Sequence, residues 1–196
     1  VVGMPKELGG SGDPSPFTAF GVARGIEALA KFHFGRSDLE GIKISILGVG
    51  NVGYPLAKLL HERGAKLYVA DINEAAVKRA EDELGATGVS ADALIGLEVD
   101  VFAPCALGGA INDDTIGKLR CKAVAGSANN QLREDRHGKE LFERGIAYVP
   151  DYVINAGGLI NVAQEVAGYD EEKSRAKCSE IYDTVYSILE RAKTEG

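Results

Sequence analysis

Hydrophobic and polar positions change period several times along this chain. Residues 1–15, VVGMPKELGGSGDPS, hold no periodic apolar run and are rich in Gly, Pro and Ser, so they read as a leading loop or linker. At Ser15-Pro16 the pattern turns helical, with a capping serine before a proline at the first helical position. The run FTAFGVARGIEALAKFHFG then spaces Phe17, Phe20, Val22, Ala23, Ile26, Leu29 and Ala30 so that they form an apolar stripe. KISIL at 43–47 is short and β-rich. The segment 52–63 returns to helical spacing, with Leu56, Leu59 and Leu60 on one face and Gly64 as a stop. KLYVA at 66–70 is a second strand, and Asn73 heads a helix running to about Leu84.

Beyond it, DVFAPC (100–105), KAVAGS (122–127) and IAYVPD (146–151) read as three more strands with helical segments between and after them. A last long helix is expected from Glu171 to Lys193, with Ile181, Val185, Ile188 and Leu189 on its apolar face. Strands alternating with helices predict an α/β fold: a Rossmann-type, doubly wound, mostly parallel sheet with helices on both faces. No internal repeat or internal linker divides the chain, so residues 1–196 read as one domain.

Composition narrows this without redirecting it. With 45% hydrophobic and 26% charged residues the chain is ordinary globular protein, long enough to bury roughly 70% of its unfolded surface. The net charge of −7 and the lack of a basic run argue against nucleic acid as a partner. Apolar stretches are strand-sized, so no membrane span is expected, and VVGMPKEL lacks the features of a secretory signal. Three cysteines, Cys105, Cys121 and Cys178, match no metal-knuckle spacing and suit a reduced, cytoplasmic setting. Cys105 either lines a site or is simply a small, partly buried side chain. His33, His61 and His137 are isolated in the sequence, and none is assigned to catalysis. The start at Val1, without methionine, reads as a fragment or a processed product.

The richest local signal is ILGVGNVGYPLAKLLHERGAKLYVAD, from Ile46 to Asp71. A strand leads into Gly48, Gly50, Asn51, Val52 and Gly53, which open a helix; a second strand follows and ends at an acid. Gly48 and Gly50 permit a tight turn and close approach of backbone to a pyrophosphate, and Gly53 lets the helix pack against the strand. The helix N-terminus favours phosphate charge. Asp71 lies about 20 residues on, where a carboxylate accepts ribose hydroxyls. The alternatives are a glycine-rich turn with an incidental acid, or an S-adenosylmethionine domain, which has no need of three glycines shaped around two phosphates. Asp71 would repel a 2′-phosphate, and no arginine directly follows it; Lys78 and Arg79 lie further along the next helix. NAD is therefore expected over NADP by at least about tenfold, which takes only ~1.4 kcal/mol.

Four further stretches, GSGDPSPFTAFGV (10–22), DVFAPCALGG (100–109), VAGSANNQL (124–132) and YVPDYVINAGGLINVAQE (148–165), are more specific. Their order resembles the NAD-binding domain of the glutamate/leucine/phenylalanine/valine dehydrogenases, closest to the leucine dehydrogenase branch, over essentially the whole chain. The resemblance implies that Thr18 holds the nicotinamide carboxamide; otherwise it is a helix threonine bonded to its own backbone. It implies that Ala103, Pro104 and Cys105 run past the cofactor. Asn129 would lie near the nicotinamide ribose and the reacting end of the substrate, and Asn155 at the nicotinamide; both are otherwise common turn residues. Leu159 and Val162, three apart on a helix, would line the substrate pocket. Both are apolar, so a hydrophobic L-amino acid fits better than glutamate, whose buried carboxylate would be costly. Leucine at 159 departs from the valine often found in the leucine branch, which leaves branched aliphatic and aromatic side chains open.

The family's reaction is reversible oxidative deamination to a 2-oxo acid and ammonia. It uses a lysine of lowered pKa, an aspartate and a second, carboxylate-binding lysine. The resemblance puts these on an N-terminal substrate domain with a Gly-Gly-Lys motif that this sequence does not contain. No catalytic residue and no metal ligand is assigned here, and the chain alone is expected to be inactive. The rival reading is a stand-alone NAD-binding module, against which the substrate-facing Asn129, Leu159 and Val162 speak. A paralogue that binds nothing conflicts with the intact glycine loop. The family's first and last helices face the other domain, so Phe17, Phe32 and Phe34 are expected to be partly exposed and open to a non-native dimer. The parent protein is expected to be a homo-oligomer.

Overall fold

The computed structural model describes residues 3–36 and 38–195; Val1, and the reading placed on it, lie outside these. Six strands form one sheet: β1 (Lys43–Leu47), β2 (Lys66–Ala70), β3 (Thr87–Gly88), β4 (Val101–Pro104), β5 (Ala123–Val124) and β6 (Ala147–Tyr148). Their order is β3-β2-β1-β4-β5-β6, and every pairing is parallel. The helices are α1 (Ser15–Phe34), α2 (Gly53–His61), α3 (Glu74–Leu84), α4 (Ala91–Ile95), α5 (Arg136–Glu143), α6 (Asp151–Ile154), α7 (Gly157–Ala163), α8 (Glu171–Ser179) and α9 (Ile181–Glu195). The doubly wound expectation holds. The chain winds outward from β1 to β3, then returns to the centre and winds the other way, so the connections leaving β1 and β4 diverge. That switch point opens a crevice at the carboxyl ends of the two strands.

Strand alternation builds a core on each face of the sheet. Ile44 and Ile46 of β1 and Val101 and Ala103 of β4 point into a core shared with Val22, Ile26 and Leu29 of α1. Phe102, the intervening residue of β4, points into a second core with Leu94, Ile111 and Leu141. The first and last helices meet in the larger core. A Cβ on Gly25 of α1 would come within 2.5 Å of Ile154 and 3.5 Å of Val185 on α9, so only glycine allows this approach. Phe32 and Tyr186 meet edge to face at 6.1 Å. Phe17, Phe32 and Phe34 are half-buried; among the exposed large apolar side chains are Leu107, Tyr152, Leu159 and Val166.

Several expectations need correction. α1 begins one residue earlier than its capping signal suggests: Ser15 is helical, and Asp13 Oδ1, not a serine hydroxyl, accepts the Ser15 N–H at 2.9 Å. Residues 3–15 are not a free linker. They contain a helical turn at Lys6–Leu8, and Glu165 Oε1 anchors them by accepting Met4 N–H (2.8 Å), Ser11 N–H (2.7 Å) and the Ser11 hydroxyl (2.7 Å). The long C-terminal helix is two helices, interrupted at Glu180. The outer strands are also shorter than their apolar runs, because β5 and β6 keep only two residues each. Among the described residues no helix is long and apolar enough to cross a membrane.

Candidate dinucleotide and substrate site

The glycine loop lies at the switch point, and each of its three glycines answers a different constraint. Gly48 turns the chain out of β1 with φ at 98°, and a Cβ there would sit 2.8 Å from the Ala106 backbone nitrogen. Gly53 starts α2 so close to the strand that a Cβ would fall 1.9 Å from the Gly48 carbonyl oxygen. A Cβ on Gly50, by contrast, would meet nothing within 4 Å. No demand of the fold excludes a side chain at Gly50; only something outside the chain, approaching the backbone, would. No side chain caps α2, so its first-turn N–H groups and dipole face the same space. The chemistry of this open backbone suits a pyrophosphate, and Asn51 and Val52 lie between its glycines.

Asp71, half-buried at the end of β2, is held in place by two backbone bonds. Its Oδ2 accepts Val49 N–H and its Oδ1 accepts Asn73 N–H, both at 2.8 Å. Each carboxylate oxygen keeps a lone pair for a ribose hydroxyl. Asn73 then caps α3 by accepting Ala75 N–H. The two cations of α3 are engaged elsewhere. Lys78 pairs with Asp82 at 3.1 Å; Arg79 pairs with Glu83 at 3.1 Å and lies over the Tyr54 ring, 3.8 Å from its centre. Tyr54 donates to Glu83, which holds that carboxyl below the usual range and the phenol above it.

At the end of β4, Ala103 and Pro104 are buried and Cys105 is half-buried. Cys105 N–H donates to Leu47 O at 2.8 Å, and its Cβ lies 3.3 Å from where a side chain on Gly53 would begin. These residues therefore form the floor of the cradle. Burial pushes the Cys105 thiol above its ordinary value, so it packs as a neutral group rather than a nucleophile. Cys121 and Cys178 are buried and pushed to about 11.

The structure brings together the two asparagines singled out in the sequence. Asn155 Nδ2 donates to Asn129 Oδ1 at 2.7 Å and to Ser127 O at 3.2 Å, joining the loops past β5 and β6. Thr18 bonds its own backbone, donating to Pro14 O at 3.2 Å, the ordinary behaviour of a helix threonine. It nevertheless abuts α7, since a Cβ on Gly158 would lie 2.4 Å from Thr18 Oγ1. On α7, Val162 is half-buried and Leu159 is 73% exposed, so in this chain the two do not enclose a pocket. Sequence reasoning missed Ala106, which backs Gly48, and Gln131, buried under the asparagine loop. The Ala106 contact joins segments remote in sequence, Gln131 bonds within its own loop, and no periodicity marks either. Ile72, exposed beside Asp71, carried a readable signal, being a lone large apolar residue in a turn.

The protein-family model described as Glutamate/Leucine/Phenylalanine/Valine dehydrogenase matches residues 9–80 and 67–195. The leucine dehydrogenase of Bacillus cereus is 54% identical over all 196 residues, which cover 54% of that protein. The phenylalanine dehydrogenase of Thermoactinomyces intermedius is 48% identical over 99% of this chain and 54% of its own length. The crystal structure of L-tryptophan dehydrogenase from Nostoc punctiforme superimposes with a TM-score of 0.92 at 45% identity, over 94% of this chain and 57% of that one. The chain thus spans about half the length of the curated relatives it matches. With its sheet order, its glycine loop and these matches in agreement, the chain belongs to the glutamate/leucine/phenylalanine/valine dehydrogenase family and is built as an NAD-binding domain.

Proposed function

We propose that this chain is the NAD(H)-binding half of an amino-acid dehydrogenase that interconverts a hydrophobic L-amino acid with its 2-oxo acid and ammonia. The observation that carries the reading is the vacant side of Gly50 beside the backbone-tied carboxylate of Asp71. Gly48, Gly50 and Gly53, with the first turn of α2, hold the pyrophosphate. Asp71 accepts the adenosine ribose hydroxyls and disfavours a 2′-phosphate, because Lys78 and Arg79 are committed to Asp82 and Glu83. Ala103, Pro104 and Cys105 support the cofactor from below. Thr18 and the bonded pair Asn129–Asn155 orient the nicotinamide, whose role when bound is to take up or return hydride. Asn129 also faces the reacting end of the substrate, and Leu159 and Val162 supply one apolar wall of its pocket.

The proton-transfer groups belong to the other half of the protein, so the chain alone turns over little or no substrate. Leu159 and Val162 offer no partner for a buried charge, which supports a hydrophobic side chain. The higher identity to the leucine enzyme, 54% against 48%, supports a branched aliphatic substrate over an aromatic one. The test is a fluorescence titration of NADH and then NADPH; the chain has no tryptophan to mask nicotinamide emission. Saturable NADH binding, at least about tenfold tighter than NADPH, is expected. Equal affinities would remove Asp71 as the selector, and binding of neither would remove the nucleotide reading.

A further inference from the structure

Asn129 and Asn155 ride on loops beyond β5 and β6, and their bond survives only if those loops stay in register. The Asn129 loop turns sharply: the next residue, Asn130, has φ at 52°, the left-handed region that asparagine tolerates better than most residues with a side chain. Directly after it comes Gln131, whose side chain is wholly buried. Its Nε2 donates to Gly126 O at 2.8 Å and to Ala128 O at 3.1 Å, so one amide nitrogen closes the loop from beneath. Its backbone N–H donates to Asp151 Oδ2 at 3.3 Å, on the first residue of the short helix that leads into Asn155. Its carbonyl accepts Ile111 N–H at 2.9 Å from the loop beyond β4. Three loops of the candidate site therefore converge on a single residue.

The remaining atom of that amide is informative. Gln131 Oε1 is buried without a partner among the described residues. A buried, unsatisfied carbonyl is a cost that an apolar side chain of the same length would avoid. A core chosen only for packing would not place glutamine here. Both Nε2 bonds go to the loop that carries Asn129.

We propose that Gln131 is a positioning residue: it pins the 126–130 loop and holds Asn129 where Asn155 can donate to it. The consequence for function rests on the proposed role of the asparagine pair at the nicotinamide, whereas the geometric statement does not. The first test therefore needs no ligand. Gln131→Met keeps length and burial but removes both donors. In 1H–15N spectra of the chain, the Asn155 side-chain amide should move toward the position of an unbonded amide in this variant. A folded Gln131→Met protein with that resonance unmoved would show that Gln131 merely fills space. If the variant does not fold, Gln131→Leu, which is also apolar and lacks both donors, is read in the same way: a shifted amide supports the clamp and an unmoved one overturns it.

The second test is NADH titration of wild type, Gln131→Met, Asn129→Ala and the double variant. Gln131→Met should weaken binding by about tenfold. The double variant should bind no more weakly than Asn129→Ala, because the glutamine acts through the asparagine. Losses that add would overturn the proposal. A wild-type chain that fails to bind NADH overturns the nucleotide reading, while the amide spectrum still decides the positioning.

Discussion

Gly50 and Gly53 stand three residues apart in the same loop yet are glycine for unrelated reasons. A methyl group on Gly53 would enter the Gly48 carbonyl oxygen, so Gly53→Ala should lose about 3 kcal/mol of stability and bind no NADH. A methyl group on Gly50 touches nothing in the chain. Gly50→Ala should therefore melt within a degree or so of wild type, while NADH affinity falls on the order of tenfold or more. Thermal melts and nucleotide titrations of the two variants separate the cases; a Gly50→Ala protein with intact affinity would mean that no phosphate comes near this backbone. The glycine spacing and Asp71 were legible in the sequence because the loop is local: strand, turn, helix and acid all fall within 46–71. Asn129 and Asn155 were each singled out only through the family pattern, and their hydrogen bond was not expected, since no local rule joins two loops so far apart. Gln131 was not legible, because its importance lies in a buried amide that ties its own loop, and no sequence pattern marks that burial.

Among the elements, those with strong periodicity emerged from the sequence and those stabilised by packing did not. α1, β1, α2, β2 and α3 match their expected spans to within a residue or two. β3 is only Thr87–Gly88, too short to show any alternating pattern, and it pairs with β2 because the sheet edge offers it partners. The break between α8 and α9 falls at Glu180, an ordinary helix-former, so neither glycine nor proline announces it. The leading segment is another such case, since its order depends on one carboxylate far along the chain. Three donors converge on Glu165 Oε1 and hold its carboxyl below the ordinary 4.5. A depressed folded value means that this anchoring is fully present above the ordinary value and is lost as pH falls through the lowered one. Amide exchange in residues 3–12, taken relative to the intrinsic rate at each pH, should therefore stay slow at neutral pH and rise only below 4.5. Glu165→Gln, which removes the charge, should raise it at neutral pH. Exchange that stays slow in that variant would show that other contacts dock the segment.

For the whole molecule, the nucleotide is expected to act as a folding ligand. The cradle joins β1, β2 and β4, so it exists only when the centre of the sheet is assembled. NADH at a hundred times its dissociation constant should add about 2.7 kcal/mol, raising the melting temperature by several degrees in a chain of this size. NADPH at the same concentration should add much less. A melting temperature unmoved by saturating NADH would mean that binding does not depend on the folded cradle.

The meeting of α1 with α9 also has a consequence during synthesis. Ribosomes deliver α1 well before α9, with Val22, Ile26 and Leu29 apolar, and α9 only after everything between them has emerged. Even β1 must wait, because its second neighbour, β4, is made more than fifty residues later. The apolar face of α1 thus stays incompletely covered until α9 is made, and the shared core closes only when Val185 and Leu189 arrive.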